Sequence, residues 1–219
     1  MSALDKLNGW IFLDKPIGMT SNAALQQIRR NLSKVKAGFV GTLDPLASGL
    51  LPIALGKSTK VINLAENLNK KYTFSVKWGE KTDTGDTEGN VIEISRKYPS
   101  KEDIKGVLSK FNGLINQTPP KYSSLKVDGV RAYELARKKI PFKLKKRKVN
   151  IYKLRVNNFI SNQISEFKVE CSSGTYVRSL AESISDSLGT FGTVTSLRRE
   201  GFGNFNKNLI SLDYFLSLV

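Results

Sequence analysis

The stretch Gly41-Thr42-Leu43-Asp44-Pro45-Leu46-Ala47-Ser48-Gly49-Leu50-Leu51 constrains this chain more than any other. It sets one carboxylate between a glycine turn and a proline, directly ahead of an apolar run that ends at Leu55. Glycine reaches backbone angles that other residues avoid, and proline fixes φ just after the acid. The pattern predicts a turn feeding a buried strand over 50–55, with Asp44 aimed from the strand's rim rather than left in water. A turn residue bonding its own backbone is the alternative reading of Asp44 at this point.

The rest of the chain alternates strand and helix signals. Gly9 to Asp14 reads as a short apolar strand. Ser21 is suited to cap a helix to about Asn31, with Ala24, Leu25 and Ile28 on one face. Ser58 or Thr59 opens a helix through Leu64. Tyr72, Phe74, Val76 and Trp78 alternate along a strand over 71–78 with one buried face. Residues 82–90 form a loop by their turn chemistry, and a strand returns over 91–94. Ser100-Lys101-Glu102-Asp103 starts a helix with a near capping box that runs to about Phe111. Further strands are expected over 122–127, 148–159, 166–171 and 194–197, and helices over 131–139, 176–188 and 212–218. Several strands are spaced as hairpins. The expected fold is therefore α+β, a mixed and mostly antiparallel sheet flanked by helices, in a single domain over 1–219.

Composition narrows the partner. The net charge is +16, and 35 Lys and Arg face 19 Asp and Glu. Between Leu135 and Ser165 stand ten basic residues and no acidic one. Ordinary surfaces intersperse the two signs, so a polyanionic partner is the natural reading and a solubilising surface the plain one. No apolar run approaches the ~20 residues that span a bilayer, and Met1–Asp5 shows no signal-peptide pattern. A single Cys171 fits a reducing cytoplasm.

The available chemistry is limited to carboxylates, hydroxyls, phenols, lysine and arginine, because the chain has no histidine and one cysteine. A Ser-His-Asp triad is impossible, and no metal-ligand spacing is present. Gly56-Lys57-Ser58 has three letters of a phosphate loop, but Leu51 stands where the loop requires glycine. No cofactor and no metal are expected. Among the acids, Asp83, Asp86 and Glu88 are explained by loop solvation as well as by function, and Asp128 by its turn. Glu102 and Asp103 suit a helix start. Arg178 falls in the first turn of a helix after Gly174, where a cation opposes the helix dipole and calls for a compensating anion.

Several segments together resemble the tRNA pseudouridine synthase B (TruB) family. They are Asp14-Lys15-Pro16-Ile17-Gly18-Met19-Thr20-Ser21, the run 41–49, Lys71-Tyr72, and Thr82-Asp83-Thr84-Gly85-Asp86. Further along are Gln117 to Lys126 with Gly129, Arg131 to Arg137, Gly174-Thr175-Tyr176-Val177-Arg178, and Leu197-Arg198-Arg199. They occur in family order across nearly the whole chain.

The resemblance implies the pseudouridine synthase fold and conversion of uridine 55 in the TΨC loop of tRNA to pseudouridine, without cofactor or obligate protein partner. It implies Asp44 as the catalytic carboxylate, attacking C1′ or taking a proton from C2′. Tyr72 would stack on the target base and assist loss of the C5 proton, and Arg178 would pair with Asp44 and keep it ionised. Tyr176 and Leu197 would line the uracil pocket, with Lys15 supporting the site. A base inside folded tRNA must be flipped out, at a cost of about a few kcal/mol. The basic run would contact phosphates.

The chain departs from the family twice. Gly38-Phe39-Val40-Gly41 replaces the usual Gly-His-Thr-Gly or Gly-His-Ala-Gly. Phe39 keeps a flat ring to wedge into the vacated stack but loses imidazole hydrogen bonding, so an altered rate or affinity is expected. Nor is a C-terminal PUA-like domain, common among relatives, expected here. Two other readings stand beside the enzyme: a tRNA-binding folding chaperone, and the catalytic subunit of a guide-RNA particle.

Overall fold

The computed structural model describes residues 7–32, 35–206 and 208–218. The N-terminal reading on Met1–Asp5 lies outside them. Its strands are β1 (Gly9–Lys15), β2 (Ala37–Phe39), β3 (Ala47–Leu55), β4 (Lys70–Trp78), β5 (Glu80–Thr82), β6 (Val91–Ile94) and β7 (Gly113–Gln117). After these come β8 (Lys126–Val127), β9 (Val130–Arg131), β10 (Arg147–Ser161), β11 (Ile164–Cys171), β12 (Gly192–Phe202) and β13 (Ile210–Ser211). The helices are α1 (Ser21–Asn31), α2 (Ile62–Glu66), α3 (Lys101–Leu108), α4 (Ala132–Arg137), α5 (Val177–Ser187) and α6 (Leu212–Ser217). A mixed sheet of nine strands flanked by helices carries the fold. The chain divides into two compact units, residues 1–73 with 197–219, and residues 74–196.

In the first unit β1 pairs antiparallel with β3 from Gly9↔Leu55 to Lys15↔Gly49. Strand β3 is buried along almost its whole length, as a run of leucine, isoleucine and alanine requires. It also pairs antiparallel with β2 and parallel with β12, in the register Leu197↔Ala47, Arg198↔Ser48, Arg199↔Gly49. Val40, Leu50 and Phe202 form a core against Trp10, Phe12 and Ile62. Helix α1 buries Ala24, Leu25 and Ile28, the face its spacing predicted. Its cap is Thr20, not Ser21: Ala23 N donates to Thr20 Oγ1 at 3.0 Å. Ser21 is instead buried as the first helical residue, free to serve another loop.

The second unit is built on β11 and the 15-residue β10, which pair antiparallel with bulges; β7 lies along the start of β10. Phe74 and Phe167 stack at 5.3 Å, with Trp78 edge-on to Phe167. Trp78 satisfies its indole N–H by donating to Ser165 Oγ at 3.0 Å. At α3 the capping box is complete, with Ser100 and Asp103 bonding reciprocally.

Three expectations need correction. The strand over 122–127 shrinks to Lys126–Val127. The carbonyls of Ser123 and Leu125 instead accept from Tyr133 N and Ala132 N, so they serve the start of α4. The short strand over 194–197 extends to Phe202, through two arginines and a glutamate. The helix over 58–64 opens with a tight 3-10 turn over Gly56–Val61 before α2.

Candidate active site

In the first unit the loop carrying Asp44 is fixed through main-chain atoms of four neighbouring residues. Ser21 Oγ accepts from Leu43 N at 2.8 Å and donates to Leu43 O at 3.0 Å. Gly18 N donates to Pro45 O at 2.8 Å, and Ala47 N donates to Asp44 O at 3.0 Å. Arg199 Nη2 donates to Gly41 O at 2.9 Å while its Nε donates to Leu50 O at 2.6 Å. Gly41 holds φ at +67° with Arg199 packed against it, so a side chain there meets both backbone strain and a crowded guanidinium. Asp44 itself is partly exposed. The result is a carboxylate on a loop with little freedom to reorient, set one turn before a buried strand.

The other first-unit candidates surround that frame. Lys15 is fully buried at the end of β1 and donates to Pro16 O at 2.7 Å and Met19 O at 2.5 Å, fixing the turn that holds Pro45. Leu197 is buried opposite Ala47, so the parallel register of β12 brings it beside the end of the Asp44 loop. Phe39 is half-buried on β2, opposite Ile53. Tyr72 is partly exposed on β4, and its hydroxyl is hydrogen bonded with Arg199. Burial pulls the Arg199 guanidinium below its ordinary range, and Tyr72 opposes that shift.

Arg199 had no role assigned from sequence. In Leu197-Arg198-Arg199 the two arginines looked alike. Strand alternation separates them: Arg198 turns outward to a two-pronged bond with Asp14 at 3.0 and 2.9 Å. Arg199 turns inward, 1% exposed, with its guanidinium 5.4 Å from the Phe202 ring centre.

In the second unit Arg178 is buried in the first turn of α5. Its Nη1 donates to Thr84 O at 2.8 Å and its Nη2 to Tyr122 O at 2.9 Å. The compensating anion this unit supplies is Asp86, with Oδ2 3.5 Å from Arg178 Nε. Asp86 is 2% exposed and accepts from Thr84 Oγ1 at 2.6 Å and Glu88 N at 3.0 Å. Of the two readings open for Asp86, loop solvation does not hold, because residues distant in sequence bury it. Tyr176 precedes α5, and its backbone is gripped at both ends by Gln117: Tyr176 N donates to Oε1 at 2.8 Å, and Nε2 donates to Tyr176 O at 3.0 Å.

No group of three or more His, Cys, Asp or Glu that could hold a metal occurs among the described residues. No helix among them is long and apolar enough to cross a membrane.

The first unit thus sets an arginine-framed aspartate loop at the end of a buried strand of the mixed nine-stranded sheet. The TruB family pseudouridylate synthase model (N-terminal domain) matches residues 29–177, and the chain belongs to that family. The chain is 44% identical to a tRNA pseudouridine synthase B of Caulobacter sp. (strain K31), covering 93% of this chain and 66% of that protein. It is 45% identical to the protein of the same name from Bradyrhizobium diazoefficiens, covering 97% of this chain and 62% of that one. Among solved structures, a Cbf5-Nop10-Gar1 complex contains a chain similar at TM-score 0.72 and 31% identity, covering 94% of this chain and 54% of that one. The chain thus spans less than two thirds of the length of these relatives.

Proposed function

We propose that this protein isomerises uridine 55 in the TΨC loop of tRNA to pseudouridine. The observation that carries the reading is the Asp44 loop, held by Ser21, Gly18 and Arg199 so that its one acid is presented in a fixed direction. The similarity to proteins named tRNA pseudouridine synthase B supports tRNA as the substrate.

In the proposed reaction the flipped uridine stacks on Tyr72. Asp44 either attacks C1′ or removes the C2′ proton, and the N1–C1′ bond breaks. The uracil rotates in place and C5 bonds to C1′ as the Asp44–C1′ bond breaks or, on the other route, as the proton returns to C2′; the C5 proton then leaves and N1 takes one up. The acid must be ionised at the start, and Arg178, steadied by Asp86, is the cation proposed to keep it so. Tyr72, whose hydroxyl is hydrogen bonded with a buried guanidinium, is proposed to assist loss of the C5 proton. Tyr176, Leu197 and Phe39 contribute apolar walls and Lys15 supports the loop. Base stacking is worth about 1–3 kcal/mol, enough to offset much of the flipping cost. The basic run over 137–155 supplies phosphate contacts that position the RNA.

The likeness to a chain of a Cbf5-Nop10-Gar1 complex favours one alternative, a catalytic subunit working with partner proteins, as in the guide-RNA particle considered from the sequence. A tritium-release assay separates them. Purified protein alone, with a tRNA transcript carrying C5-tritiated uridine, is expected to release tritium without guide, metal or cofactor. Release only on adding a guide would favour the particle, and tRNA refolding without release would favour a chaperone.

A further inference from the structure

The side-chain cluster around Tyr176 contains an arginine whose arrangement the proposed reaction does not explain. Arg147 opens β10 and faces Gln117 directly across the β7–β10 pairing. Gln117, 2% exposed, holds the Tyr176 backbone, while the Arg147 guanidinium lies 4.7 Å from the Tyr176 ring centre. The approach needs a bare backbone alongside: Gly174 holds φ at +80°, and an added Cβ would sit 3.3 Å from Arg147 Nη1. Ser172 completes the cradle, with its Oγ accepting from Asn150 N at 2.9 Å and its N donating to Asn150 O at 2.8 Å.

Arg147 differs from the basic residues next to it. Lys145, Lys146 and Lys148 are exposed, as solvated charges should be, whereas Arg147 is only partly exposed. Its Nε and Nη2 are buried and have no hydrogen-bond partner among the described residues. A stacked guanidinium gains from the aromatic face. Leaving charged donors unsatisfied costs more than leaving neutral ones, and that cost remains until an acceptor arrives. Tyr176 engages one guanidinium face, and the planar donor edge is the geometry that suits a phosphate.

We propose that Arg147, held against Tyr176 by the Gln117–Gly174 cradle, is a binding site for a single phosphate of the RNA strand beside the flipped nucleotide. This deepens the reading above and rests on tRNA being the partner. The site goes beyond general attraction by the basic run, because it engages one phosphate through a fixed planar edge.

Equilibrium binding of an unmodified tRNA transcript across a salt series tests this without turnover. Loss of one phosphate contact lowers the slope of log K against log salt by about 0.7–0.9. Arg147→Gln is expected to show that loss, with roughly ten-fold weaker binding at low salt. Arg147→Lys keeps the charge without the planar edge, so it should keep the slope while binding more weakly than wild type. Lys110→Gln, an exposed charge outside the basic run, should match wild type.

An unchanged slope with weaker binding in Arg147→Gln would mean the edge meets a base carbonyl instead, and would overturn the phosphate assignment. An equal loss of slope in Lys110→Gln would reduce Arg147 to general charge. Should Arg147→Gln fail to fold by circular dichroism, full wild-type affinity in Arg147→Lys would overturn the proposal. Absence of tritium release with tRNA binding intact would strike the proposed reaction and leave the phosphate site standing.

Discussion

Asp44→Asn is expected to abolish tritium release, lowering kcat by roughly 10⁴-fold or more, with tRNA affinity largely retained. Loss of an acting nucleophile or base typically has an effect on that order. The amide is nearly isosteric with the carboxylate, so the change tests charge and nucleophilicity rather than volume. The fold should survive, because the bonds that frame the loop engage main-chain atoms of Gly41, Leu43, Asp44 and Pro45. Single-turnover kinetics and binding on one preparation check both halves. Wild-type turnover in a folded Asn variant would remove Asp44 from the reaction.

Arg199→Met should be the most disruptive change in stability. Arg199 is 1% exposed and satisfies two carbonyls, Gly41 O and Leu50 O, that lie far from it in sequence. Methionine fills similar space and removes the cost of burying a cation, which acts in the variant's favour. It also strands two acceptors, Leu50 O buried and Gly41 O partly so, each worth up to about 1–3 kcal/mol. The expected net loss is about 3 kcal/mol, or a melting temperature lower by roughly 6–12 °C. Activity should fall further than stability explains, since Gly41 and the Tyr72 hydroxyl lose the same partner together. Arg199→Lys recovers the charge but not the fork, and should recover little of either. A Met variant that melts with wild type and turns over normally would show that Arg199 frames nothing.

What the sequence made legible follows from which forces are local. Asp44 stood out because Gly41 and Pro45 dictate backbone shape within a few residues, and the apolar run after them could only be buried. The faces of α1 and β4 were readable from their periods. The compensating anion for Arg178 was foreseen in kind, from the helix dipole, but not as Asp86. Asp86 is buried by packing between loop 82–90 and α5, which no spacing rule reports.

Arg199 and Gln117 were missed for a related reason. Each gains its role from strand register, Arg199 through β12 beside β3 and Gln117 through β7 beside β10. Strand β7 itself was not seen, because Asn116 and an exposed Leu114 break the alternation that marks a strand. Ser21 read as a helix cap because its neighbour Thr20 offers the same hydroxyl one position earlier, and Ser21 serves the Asp44 loop instead.

Nucleotide-resolution mapping of pseudouridine on a transcribed tRNA treated with the purified protein bears most directly on the function proposed here. The expected result is modification at uridine 55, and none when that position is changed to cytidine. An untouched uridine 55, whether the map is blank or other uridines are converted, would contradict the account.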